Sequence, residues 1–211
     1  MSTPLPSLPA IRSRVVPVVV LQEAAHAVPL ARALLAGGID VIEITLRTPC
    51  ALDAIAAVAR DVPEMQVGAG TLLTADDVRR ARDAGARFGL SPGHSPSLLQ
   101  AVAEAGLPFV PGVMTPGEVM AAREAGYQLM KLFPATVAGG LDMLKALASP
   151  FGDVRFCPTG GVNLDNLAGF LAQPNVALVG GSWLAPSAAL RAGDWGQITA
   201  LARQAIGACR G

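Results

Sequence analysis

Lysine is scarce in this chain: 16 basic side chains include only Lys131 and Lys145, the rest being arginine. Charged residues make up 15%, aromatics 4%, and there are two histidines and three cysteines in 211 residues. Each shortage excludes something. The net charge of +0, with no acidic or basic block, gives nucleic acid no electrostatic footprint. No uninterrupted apolar run reaches the roughly 18 residues of a membrane span. The proline-rich stretch from Met1 to Ile11 lacks the apolar core of a signal peptide. Cys50, Cys157 and Cys209 are odd in number and far apart, which suits reduced thiols in a cytoplasmic protein and matches no zinc spacing. Neither histidine has a second ligand at a useful spacing, so no metal site is expected.

What the chain has instead is apolar surface, 52% of residues, enough for a sizeable core. Eight short apolar runs recur: Val15–Val20, Val41–Thr45, Gln66–Gly70, Phe88–Ser91, Phe109–Pro111, Leu129–Phe133, Val154–Cys157 and Val176–Gly180. Alanine-rich helical stretches fill the intervals, from Pro29–Ala36 through Leu190–Ala208. Thr74, Ser95 and Thr115 are good N-caps, while Gly37-Gly38, Gly85, Gly106 and Gly126 suit helix C-termini. The pattern predicts an α/β protein, a single (β/α)8 TIM barrel over residues 1–211, with residues 1–14 as an extension whose Leu5–Arg14 stretch forms a helix closing the bottom. A doubly wound open sheet is the alternative, but no glycine-rich dinucleotide fingerprint follows the first run.

In such a barrel the chemistry sits at the C-terminal strand ends. The run Leu129–Phe133 places Lys131 among apolar neighbours before Pro134 ends the strand. Burial favours an uncharged amine, and an uncharged amine attacks carbonyls to give Schiff bases. Arginine cannot do this. A lysine snorkelling to a strand end fits the same pattern. Period-2 alternation puts Glu43, Thr45 and Arg47 on one face of the second strand, for chemistry or for a buried ion pair. Gly68-Ala69-Gly70-Thr71 permits close approach of a ligand or a neighbour, or is a plain turn. Ser91-Pro92-Gly93 and Pro111-Gly112 also read as simple loops. Gly160-Gly161 after the seventh strand and Gly180-Gly181-Ser182 after the eighth leave backbone N–H groups open to a phosphate.

These motifs, in order, resemble one family. Glu43-Ile44-Thr45-Leu46-Arg47-Thr48, Gly68-Ala69-Gly70-Thr71, Ser91-Pro92-Gly93, Lys131-Leu132-Phe133-Pro134-Ala135, Pro158-Thr159-Gly160-Gly161 and Gly180-Gly181-Ser182-Trp183 are similar to those of the 2-keto-3-deoxy-6-phosphogluconate aldolases, class I enzymes of the Entner–Doudoroff pathway. The resemblance runs from about Val15 to the C-terminus and implies a homotrimer that uses no metal or cofactor. It implies a Schiff base on Lys131, acid/base work by Glu43, and pyruvate carboxylate binding by Arg47 and Thr71. Phe133 would pack on the pyruvyl end, Pro92 would line the pocket, and Thr159 would contact substrate. Gly160, Gly161 and Ser182 would hold phosphate. Relatives that act on the galactonate epimer lack the threonine, so Thr159 points to the gluconate epimer. Thr136 departs from the glutamate found in relatives, and His94 is unexpected after its turn; as a rim residue it reads as solvated, and His26 as structural.

Rival readings remain at this level. A phosphate-binding isomerase or epimerase shares the glycine loops, and a metal-dependent aldolase shares the reaction. An aldolase for 4-hydroxy-2-oxoglutarate or the galactonate epimer shares the machinery. A non-catalytic sugar-acid-phosphate-binding barrel shares the fold.

Overall fold

A computed structural model describes residues 5–209. Nine strands, all paired parallel, form the inner wall: β1 (Val15–Val19), β2 (Val41–Thr45), β3 (Gln66–Gly70), β4 (Phe88–Leu90), β5 (Phe109–Val110), β6 (Gly112–Val113), β7 (Leu129–Leu132), β8 (Arg155–Phe156) and β9 (Val179–Gly181). β5 and β6 are one stave broken at Pro111, so the wall has eight staves. Six strands pair in the order β5-β4-β3-β2-β1-β9 and three in the order β6-β7-β8. Bridges Phe156↔Val176 and Thr159↔Gly180 join β8 to the chain around β9 and close the ring. The expected (β/α)8 barrel is the observed fold.

The outer wall follows from the sequence pattern. Ile42, Ile44, Val67, Met130, Leu132 and Phe156 are all buried to 0% exposure. Each such side chain contributes about 1.5–3 kcal/mol relative to exposure. The helices outside are α1 (Ala27–Ala36), α2 (Ala51–Asp61), α3 (Ala75–Asp83), α4 (Pro96–Ala105), α5 (Pro116–Glu124), α6 (Gly140–Ala148), α7 (Leu164–Leu171), α8 (Ser187–Ala192) and α9 (Trp195–Ala208). Capping boxes start α3 (Thr74 with Asp77), α5 (Thr115 with Glu118) and α7 (Asn163 with Asn166). Ser95 caps α4 through Leu98 N–H. Each cap satisfies orphan N–H groups and stops the preceding loop within a few residues of its strand. The upper rim is thereby built from short, tied loops.

Two expectations fail. Residues 5–14 form no helix. Pro6 and Pro9 bias the residues before them away from helical dihedrals, and the segment runs as irregular chain. It does lie against the barrel bottom, where Leu5 and Leu8 share a cleft with Phe109, Tyr127 and Leu129. Its end is pinned by the buried Asp40, which accepts N–H bonds from Arg12 (3.0 Å) and Ser13 (3.0 Å) and one from Arg12 Nε (3.0 Å). Residues 1–4 of the extension lie outside the described residues. The expected last helix, Leu190–Ala208, is two helices, because Gly193 turns left-handed (φ 63°) and Asp194 recaps the chain through Gln197 N–H.

Candidate active site

Lys131 is on β7 and Glu43 on β2, four staves apart in either direction around the ring. Only long side chains can meet across that width. Lys131 Nζ donates to Glu43 Oε1 at 2.8 Å and to Oε2 at 3.2 Å. The side chains are 5% and 1% exposed. The ion pair is therefore dry and spans the barrel interior near the C-terminal strand ends. Lys131 does not snorkel to solvent. Its Nζ also stands 5.6 Å from the centre of the Phe133 ring, within cation–π range. Glu43 and Lys131 thus form the buried pair that the alternation of β2 allowed.

The other sequence candidates gather at the same rim to different degrees. Thr45 is buried, but its hydroxyl donates to Val19 O at 2.9 Å and so ties β2 to β1. The alternation stops there: Arg47 N donates to Thr45 O at 2.8 Å, a tight turn past the end of β2, and Arg47 is exposed. No partner of its guanidinium lies within bonding distance among the described residues. Thr71 follows β3 and adopts a left-handed backbone, φ 62°, the one such non-glycine among the described residues. A β-branched residue there is strained by about 1–3 kcal/mol, a cost that concentrates at ligand sites. Pro92 is half-buried, and its carbonyl lies where a side chain at Gly112 would stand, so the Ser91–Gly93 turn rests on the β5–β6 stave. Ser91, fully buried, accepts from Gly112 N at 3.3 Å.

On the far side, the bridge Thr159↔Gly180 brings the two glycine loops together. Gly160 (φ 99°) and Gly161 (φ 80°) are both left-handed, conformations that favour glycine. Their N–H groups make no backbone hydrogen bond among the described residues. Ser182 is exposed beyond β9. Successive unpaired N–H groups in such a turn form an anion-binding concavity. Thr159 is buried, with its hydroxyl 3.3 Å from Cys157 O and packed against the bare backbone of Gly180.

Three residues to which the sequence motifs assign no catalytic or binding role also lie at this rim. Cys157 is fully buried; burial pushes its thiol up to about 11, with nearby Lys131 opposing and Glu43 adding to the shift. Only the i, i+2 spacing to Thr159 hinted at a shared face. Thr136 donates its hydroxyl to Gly160 O at 3.3 Å and fills the space beside Gly161, so this departure from the family pattern braces the glycine loop. His94 is not simply solvated: its Nδ1 lies 2.9 Å from Gly112 O and ties the loop after β4 to the next stave. His26 packs edge-on against Trp195, a structural contact. No cluster of three or more His, Cys, Asp or Glu occurs among the described residues.

Comparison with known proteins fits this geometry. The chain is 50% identical over 192 residues to the KHG/KDPG aldolase of Escherichia coli (strain K12), covering 91% of this chain and 90% of that protein. It is 48% identical over 192 residues to the 2-dehydro-3-deoxy-phosphogluconate aldolase of Dickeya dadantii, covering 91% and 90%. A crystal structure of KDPG aldolase from Legionella pneumophila, with pyruvate captured at low pH as a covalent carbinolamine intermediate, superposes with a TM-score of 0.90 at 45% identity, covering 92% of this chain and 94% of that one. The family model for the aldolases described as KDPG and KHG aldolase matches residues 10–201, and the chain belongs to that family.

Proposed function

We propose that this protein reversibly cleaves 2-keto-3-deoxy-6-phosphogluconate to pyruvate and glyceraldehyde 3-phosphate through a Schiff base on Lys131. The observation that carries the reading is the dry Lys131–Glu43 contact across the barrel. Glu43 accepts a proton from the Lys131 ammonium, and the freed nitrogen lone pair adds to the C2 ketone. The carbinolamine oxygen takes a proton and leaves as water, giving an iminium. The C4 hydroxyl then loses its proton to the same carboxylate, and the C3–C4 bonding pair moves into the iminium. Glyceraldehyde 3-phosphate departs and the enamine of pyruvate remains. Protonation at C3 and addition of water release pyruvate and regenerate the amine. Glu43 serves as a carboxyl that gives and takes protons on the inner face. The nitrogen is the protein's own, so the carbon–carbon bond is broken without an added cofactor.

We infer the following roles for the rim residues, those that the family resemblance implies and that their place at the C-terminal strand ends supports. Arg47 offers a bidentate fork to the substrate carboxylate, with the Thr71 hydroxyl as a second donor. Phe133 packs against the pyruvyl carbons and Pro92 walls the pocket. Gly160, Gly161 and Ser182 hold the phosphate, and Thr159 faces the sugar-acid chain. Anchoring the distal phosphate converts binding into alignment at C3 and C4. We further infer a homotrimer working in the cytoplasm. Exposed Leu73 (59%), Met114 (40%) and Met120 (55%) supply apolar surface for a subunit contact. Unpaired cysteines at all three positions suit a reducing compartment. No helix among the described residues is long and apolar enough to cross a membrane.

A second substrate, 4-hydroxy-2-oxoglutarate, is favoured by the Escherichia coli relative, which carries both names. Pyruvate release, coupled to a dehydrogenase, tests the choice. The phosphorylated gluconate derivative is expected to give the highest kcat/KM, ahead of 4-hydroxy-2-oxoglutarate and the galactonate epimer. Fastest release from the galactonate epimer would overturn the substrate assignment. Binding of all three without any pyruvate would leave a non-catalytic barrel.

A further inference from the structure

We propose that Gly70 is a positioning residue for the acid/base carboxylate: its missing side chain is the slot in which Glu43 lies. This rests on the role assigned to Glu43 above. β2 and β3 pair with Glu43 opposite Gly68 and Thr45 opposite Gly70. Side chains on a strand lean along it. Glu43 leans toward the C-terminal end, so its carboxyl crosses the neighbouring strand at position 70. A Cβ there would stand 2.1 Å from Glu43 Oε1 and 2.7 Å from both Cδ and Cγ. Ordinary van der Waals contact begins at 3.4 Å.

Conformation does not demand glycine at this position. Gly70 is an ordinary strand residue and is absent from the left-handed glycines. Space demands it. The neighbouring inward glycine, Gly68, is filled differently, by the Phe88 ring at 2.4 Å from its would-be Cβ. Glu43 is 1% exposed and has no solvent to retreat into. A methyl group at position 70 therefore forces the carboxyl out of its 2.8 Å contact with Lys131. The retreat needed is roughly 1 Å, a misplacement of the size that costs about 10²-fold in rate.

The test is a double-mutant cycle between Gly70→Ala and Glu43→Gln, with kcat and KM measured separately. Gly70→Ala is expected to lower kcat about 10²-fold with KM changed only a few-fold, because the substrate contacts are untouched. In the Glu43→Gln background the same substitution is expected to add little. Full activity in Gly70→Ala, or effects that multiply in the double variant, would overturn the proposal. If Glu43→Gln alone keeps full turnover, the acid/base reading fails instead, and the two failures are distinct. Should Gly70→Ala not fold, the Glu43→Asp, Gly70→Ala pair decides. Its carboxyl ends one methylene short of the added methyl, so recovery of folded protein is expected, and no recovery would contradict the slot.

Discussion

Glu43 and Lys131, 88 positions apart in the chain, meet at 2.8 Å in the middle of a closed barrel. Neither charge has water to fall back on. Removing either partner strands the other, at a cost of about 3–5 kcal/mol for a buried pair. The contact thus holds the two sides of the barrel together and keeps the nitrogen within reach of a proton acceptor.

The first prediction separates these roles. Glu43→Gln keeps the shape and a hydrogen-bond acceptor but cannot take a proton. Turnover is expected to fall by about 10²-fold or more, with a smaller loss of thermal stability. Steady-state kinetics beside a melting curve checks this. Lost stability with unchanged turnover would make the pair structural only.

Thr71 tests strain against function. Thr71→Gly releases the left-handed backbone at φ 62°, so melting is expected to hold steady or rise slightly. The lost hydroxyl is expected to raise KM about tenfold or more, the worth of a hydrogen bond to a charged group. A variant that binds substrate normally would remove Thr71 from the site.

Asp40 governs acid stability at the opposite end. Burial opposes its ionisation, but N–H bonds from Arg12 and Ser13 outweigh that and hold its carboxyl below the usual 3.8. A lowered carboxyl stabilises the fold at pH values above its unfolded value and loses that contribution as pH falls through the folded one. Asp40→Asn is expected to cost about 1–3 kcal/mol at pH 7, and that difference is expected to shrink as pH falls below 3.8 and through the lowered folded value. Urea unfolding followed from pH 7 downward decides; a deficit that stays constant over the whole acid range in which the protein folds would contradict the linkage.

Much of this molecule was legible in its sequence, for identifiable reasons. Strand and helix periods, together with Thr74, Ser95 and Thr115 as caps, located the alternating elements and hence the barrel. Lys131 stood out because a lysine is costly in an apolar strand. The extension at 5–14 misled, since spacing of Leu5, Leu8 and Ile11 looks helical while Pro6 and Pro9 oppose it. The break at Gly193 was hidden because a C-terminal glycine also occurs inside helical runs. What no local pattern could show was the identity of contacts across the barrel. Gly70 announced a close approach without saying that the approaching group was Glu43. Cys157 gave no sign of lying beside Lys131.

The most direct test is borohydride reduction in the presence of pyruvate, followed by peptide mapping of the two lysines. Lys131 is expected to carry the reduced pyruvyl adduct, while Lys145, 62% exposed on α6, stays unmodified. Lys131→Arg is expected to remain folded, trap nothing and turn over no substrate. An adduct on Lys145, or turnover surviving in Lys131→Arg, would contradict a Schiff base at the centre of the barrel.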